Sequence, residues 1–111
     1  MSREASQSHE EHAELLRART AGSGITEAGL RVGALGREAG GPPLPYPYDA
    51  LVRQVGVDSA RVTDAQVAAV REAAGSDKAA FEVVLAASVG AGLRRWDAAL
   101  RAIGGEDDAA G

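Results

Sequence analysis

Glu82 is the lone charge in the run Phe81-Glu82-Val83-Val84-Leu85-Ala86-Ala87-Ser88-Val89-Gly90-Ala91-Gly92-Leu93, in a chain of which 25% is charged. A glutamate taken out of water has its carboxyl pKa raised toward the range useful for moving a proton at neutral pH. That makes Glu82 a candidate acid or base, and an arginine would then hold a small anionic substrate. A solitary carboxylate is equally well explained by a structural ion pair, and that explanation takes precedence. In the structural alternative Glu82 points to water near the start of its helix, pairs with Lys78 one turn back, or pairs with an arginine of a neighbouring subunit.

The remaining chemistry-bearing residues are few. His9 and His12 are the only imidazoles, spaced so that one helix face can carry both. That spacing differs from the i, i+4 pair of a zinc-binding helix and implies no third ligand, so no metal site is expected. There are no cysteines, which removes disulfides, thiolate nucleophiles and iron–sulfur ligation. No cofactor is expected. Lys78 is the only lysine, and a net charge of −4 lacks the basic footprint that neutralises phosphates, so no nucleic-acid partner is expected. Met1 to Gln7 is polar, without the apolar stretch of a secretory signal, and the run from Ala79 to Leu93 is too short to span a bilayer. A cytoplasmic location and no membrane partner are the expectations.

These residues need elements to position them, and the elements read as helices throughout. Ser8-His9-Glu10-Glu11 matches a capping box and starts a helix from about His9 to Thr20, after a polar, disordered segment 1–8. Thr26-Glu27 caps a second helix toward Ala39. It carries Gly29, Gly33, Gly36 and Gly40, either a smooth face for close packing or a segment only partly helical until docked, and the second alternative is preferred. Asp49 caps a helix through Leu51, Val52 and Val55, and Gly56 to Arg61 turns the chain. Thr63-Asp64-Ala65-Gln66 is the clearest start signal, a capping box flanked by Val62 and Val67 at the positions of a hydrophobic staple. That helix stops at Gly75. Ser76-Asp77 opens a long final helix to about Ile103, ended by Gly104-Gly105 before a flexible acidic tail, 105–111. The expectation is one small all-α domain over 9–104, with no strand and no repeat.

Gly40 to Tyr48 is a proline-rich connection at 40–48 that favours extended geometry. Tyr46 and Tyr48 are either anchors of a partner-docking strap or side chains packed on the domain's own helices; the second is preferred.

The final helix is apolar around most of its circumference, so it is expected to be buried on nearly all sides. The large aromatics are Phe81, Trp96, Tyr46 and Tyr48, and the rest of the apolar content is mostly Ala, Val and Leu. A core of small residues gains from a partner chain. Phe81, Leu85, Val89, Gly92 and Trp96 lie along one face, and Trp96 is of a type enriched at binding hot spots. Ala86-x-x-x-Gly90 and Ser88-x-x-x-Gly92 place small residues where a second helix can approach. Gly90 and Gly92 are therefore expected at an interface, where a leucine would clash.

The stretch from Val62 to Ile103 resembles the carboxymuconolactone decarboxylase and alkylhydroperoxidase-D-like superfamily. Val62-Thr63-Asp64-Ala65-Gln66-Val67, Ala73-Ala74-Gly75-Ser76-Asp77 and Phe81 to Gly92 carry the resemblance. Leu93 to Arg101 and the prolines 42–47 are similar to features of its short members. The resemblance implies an all-α fold and obligate oligomers. Peroxidase-type members also carry a Cys-x-x-Cys or Cys-x-x-x-His element, whose positions fall near Thr63 and Val67. Neither residue supplies a thiolate or an imidazole, so thiol peroxidase chemistry does not carry over. The leading expectation is a non-catalytic or accessory subunit, a homo-oligomer or a hetero-oligomer with a partner enzyme. The alternative is a cysteine-independent decarboxylase, isomerase or hydrolase using Glu82.

Overall fold

The computed structural model describes the backbone of residues 3–22 and 24–110 and the side chains of residues 10–22 and 24–104. Among the described residues five α-helices follow in order: α1 Arg3–Gly22, α2 Ala28–Gly36, α3 Tyr48–Asp58, α4 Asp64–Ala74 and α5 Asp77–Ala110. Single 3₁₀ turns, Arg37–Ala39 and Ser59–Arg61, extend α2 and α3. No strand occurs among the described residues.

The start of α4 is encoded locally. The Thr63 hydroxyl accepts from the Gln66 amide at 3.1 Å, and the Gln66 side chain accepts from the Thr63 amide at 3.0 Å. Val62 and Val67, on either side of this box, both pack against the core. Gly75 ends the helix with φ of +99°, a conformation that a side chain would resist. One residue on, the Ser76 hydroxyl accepts from the Ala79 amide at 3.1 Å and opens α5.

α5 is the spine on which α1, α2, α3 and α4 all pack. Its 34 residues make a rod about 50 Å long, which sets the long dimension of the molecule at 53 Å. The core runs between α5 and the three helices α2, α3 and α4. Ala34, Leu51, Val52, Val55 and Val70 meet Ala80, Val83, Ala86 and Ala87 there. Because α5 contributes mostly alanines, its neighbours come close. At Gly90 the approach is so tight that a Cβ would overlap the Leu35 carbonyl oxygen of α2. Gly90 is therefore taken up inside the chain, not offered to a second one.

The helix boundaries differ from the sequence expectation in an instructive way. α1 begins at Arg3, so Ser8 lies inside a helix, although the Ser8 side chain is outside the described residues. α2 is a complete helix, which favours the close-packing alternative: Gly33 lies where a Cβ would come 2.6 Å from Leu44. α3 continues through Gly56, whose bare Cα admits the Glu38 carboxylate and whose carbonyl accepts from Arg95. α5 passes Gly104 and Gly105. An interior glycine costs a helix about 1 kcal/mol, but it stops the helix only when it takes a left-handed turn. Among the described residues, positive φ is confined to Gly24, Gly40 and Gly75.

The α2–α5 contact generates a stability prediction. Gly90→Ala should destabilise the fold by about 1–3 kcal/mol, because the obstacle is a backbone carbonyl that no side-chain rotation can move. Urea unfolding monitored by circular dichroism reads this directly. An unchanged midpoint would contradict the packing.

Candidate functional site

Glu82 sits on α5 with its carboxylate turned to the loop between α1 and α2. Oε1 accepts from the Ile25 amide at 2.8 Å, and Oε2 accepts from the Thr26 amide at 2.9 Å and the Thr26 hydroxyl at 2.8 Å. Gly24 permits this approach. Its φ is +145°, and a Cβ there would come 2.8 Å from the carboxylate. Behind Thr26 stands Arg31, only 5% exposed. Its Nε and Nη2 donate to the Ala21 carbonyl at 3.1 and 3.0 Å, which closes the end of α1. Its Nη1 donates to the Thr26 carbonyl and hydroxyl. Thr26 thus bridges a buried cation and a carboxylate.

This clamp reverses the electrostatic expectation for Glu82. The Ile25 and Thr26 amides hold its pKa below the ordinary value; partial burial opposes them, and the Thr26 hydroxyl and the Arg31 charge add to the lowering. A carboxylate with both oxygens engaged and a lowered pKa is a poor proton acceptor. The structural alternative is closer, but the partners within this chain do not include Lys78. They are the backbone of a loop far away in sequence, which no local pattern announces.

A second carboxylate pins the proline-rich connection. Asp49 does not cap its own helix, which begins at Tyr48 after Pro47 with no side-chain cap. Its Oδ1 accepts instead from Arg37 Nε at 2.8 Å and from the Leu44 amide at 3.1 Å. The Arg37 hydrogen bond lowers the Asp49 pKa most; burial opposes it, and the Leu44 amide and the charges of Arg37 and Arg53 add to the lowering. The two tyrosines diverge at the end of this connection. Tyr48 packs against the core, whereas Tyr46 is 91% exposed. Tyr48 also borders a cleft of about 470 Å³ walled by Thr26, Leu30, Leu44, Pro45 and Ala73, with Glu27 beside it.

The expectation is an α5 covered on nearly all sides, in part by other chains; among the described residues this chain itself covers one face. Ala79, Ala80, Val83, Ala86, Ala87 and Ala91 point inward and are at most 3% exposed. On the opposite side Phe81 is 62% exposed, Trp96 52% and Leu85 45%. Ser88, Gly92, Ala99 and Ile103 share that outer face and are also exposed, while Val89 on its flank is half-buried. Nothing lies within 4 Å of a Cβ built on Gly92. The helix therefore buries its small residues and presents its large ones.

The grooves beside α5 hold charges that are already engaged. Arg17 reaches Asp97 at 3.5 Å across the α1–α5 groove, and Arg94 reaches Glu38 at 3.6 Å across the next one. No buried side-chain nitrogen or oxygen among the described residues lacks a hydrogen-bond partner. Among those residues no cluster of three or more His, Cys, Asp or Glu is placed to hold a metal ion. His12 is exposed, and the His9 side chain lies outside the described residues, as do the side chains of 105–111. No helix among the described residues is long and apolar enough to cross a membrane.

The two carboxylate clamps make stability depend on acid pH. Both pKa values are lowered on folding, from 4.5 for Glu82 and 3.8 for Asp49. Their contribution is then complete above those unfolded values and is lost as pH falls through the lower folded ones. The urea midpoint should hold from neutrality to the ordinary carboxylate range and then fall. Glu82→Gln with Asp49→Asn should lower the neutral plateau and flatten the acid limb. An acid limb unchanged in the double variant would show that the clamps contribute nothing.

No family model matches the chain, and no match is found among curated proteins or solved structures.

Proposed function

We propose that the protein is a non-catalytic assembly subunit of the carboxymuconolactone-decarboxylase-like class, joined to another protein chain through the outer face of α5. The observation that carries this reading is the inverted distribution of side chains on that helix. Six small or β-branched residues fill the inner face, while Phe81, Leu85 and Trp96 lie on the other side, each about half exposed. Fully burying a side chain of this size contributes about 1.5–3 kcal/mol, and contiguous exposed apolar surface marks an interaction site more often than it marks chance.

The polar groups support the same reading by being occupied. Glu82 holds a loop, and Arg17, Arg37 and Arg94 each reach a carboxylate of their own chain. An enzyme that used Glu82 as a base would have to release the Ile25–Thr26 loop first.

Phe81→Glu and Leu85→Glu test the proposal. Both positions are exposed, so each variant should keep its helix content and change fold stability by no more than about 0.5 kcal/mol. Each should reduce the mass of the assembled species, measured by size-exclusion chromatography with light scattering. An assembly state identical to that of the unaltered chain in both variants would count against the outer face as the surface that binds.

A further inference from the structure

Independently of the assembly reading, we propose that the cleft of about 470 Å³ bordered by Tyr48 binds a small organic ammonium cation, with Glu27 as its counter-ion and Leu30 and Leu44 against its apolar body.

The cleft is walled by irregular segments that long-range ties hold in place. Glu82 accepts from the Ile25 and Thr26 amides at 2.8 and 2.9 Å, which fixes the loop on one side. Asp49 accepts from the Leu44 amide at 3.1 Å, which fixes the proline-rich connection. Leu44 is also seated on α2 at Gly33, where a Cβ would come 2.6 Å from its side chain. Ala73 and Ala74, the last two residues of α4, complete the lining. The two carboxylate clamps stand on different helices, yet they fix two walls of one cleft. Walls ordered in advance reduce the cost of binding a small molecule, and the volume lies in the range of such sites.

Charge selects the ligand. Among the described residues Glu27 is the one charged side chain on the lining, and it is exposed. Its spacing from Arg31 suits an ion pair, but Arg31 is turned to Ala21 and Thr26. Glu27 precedes α2, yet its side chain makes no capping hydrogen bond. Among the described residues neither an ion pair nor a hydrogen bond engages its carboxylate. The C-terminal end of α4 contributes about half a negative elementary charge, which offsets the half positive charge at the start of α2. The full charge of Glu27 is left over beside Leu30, Leu44 and Pro45. A carboxylate there calls for a cation, and the apolar neighbours call for carbon attached to it. Tyr48 adds an aromatic ring, and such rings attract ammonium groups as well. An anion would meet Glu27 with no arginine or lysine on the lining to receive it.

Three probes of similar shape separate charge from apolar fit: 2-phenylethylammonium, 2-phenylethanol and 3-phenylpropanoate. Each is titrated to about 20 mM, since ligands this small bind in the millimolar range, and the amides of Gly29, Leu30, Leu44 and Ala73 are followed by two-dimensional NMR. The ammonium should shift these amides and bind about fivefold more tightly than the alcohol, the effect of one exposed ion pair. The propanoate should bind more weakly than the alcohol. Glu27→Gln should abolish the preference for the ammonium and leave the affinity for the alcohol unchanged. A Glu27 that served only to stabilise α2 would not separate the two probes. Salt at about 0.5 M should narrow the same gap. Ala73→Leu, at an exposed position, should weaken ammonium and alcohol alike by filling the cleft. If Ala73→Leu loses its helix content by circular dichroism, Glu27→Gln carries the test alone. Equal affinity for ammonium and alcohol, a preference for ammonium that survives Glu27→Gln, shifts confined to other amides, or none at the highest concentration would each overturn the proposal.

Discussion

The Leu35 carbonyl occupies the place where a side chain at position 90 would stand, and much of the rest of the molecule follows from that close approach. A backbone-to-backbone contact needs a glycine at its centre and small residues around it. Ala79, Ala80, Ala86, Ala87 and Ala91 supply them along the inner face of α5. With the inner face filled by alanines and pressed against α2, the large apolar side chains of α5 have no room there. They face outward, and the outward stripe is a consequence of how the spine packs.

The loop between α1 and α2 is held by the same helix. Glu82, one position along from the outward-facing Phe81, turns its carboxylate to the amides of Ile25 and Thr26, while Arg31 closes the end of α1. The one charge in the apolar run thus serves as acceptor for three donors of the loop. Asp49 plays the corresponding part for the proline-rich connection, through Arg37 and Leu44. The two carboxylates tie irregular segments to helices, and they do so in their ionised form.

What could be read from the residues was whatever is written locally. The Thr63–Gln66 box, the Gly75 stop and the all-helical class are each encoded within a few neighbouring positions, and each stands in the structure, with Val62 and Val67 both packed against the core. What could not be read depended on long-range placement. The partners of Glu82 lie more than fifty positions away in sequence. Arg31 stands one turn after Glu27, a spacing that suits a surface ion pair, yet it is buried and bonded to Ala21 and Thr26. Gly90 and Gly92 looked alike, as small residues on adjacent faces. Only the fold separates them, one against Leu35 and the other open. Apolar periodicity finds the helix but does not tell which of two apolar faces the chain will cover, since alanine and phenylalanine count alike in a pattern.

Trp96 is the only tryptophan and stands on the outer face, so its fluorescence reports whether that face is covered. The most direct measurement is acrylamide quenching of Trp96 across a dilution series, with Phe81→Glu alongside. Assembly through α5 predicts a shielded, blue-shifted indole at high concentration. In the diluted protein and in the variant, the indole should be readily quenched and red-shifted. An indole equally open to quencher at every concentration, and indifferent to Phe81→Glu, would contradict the account.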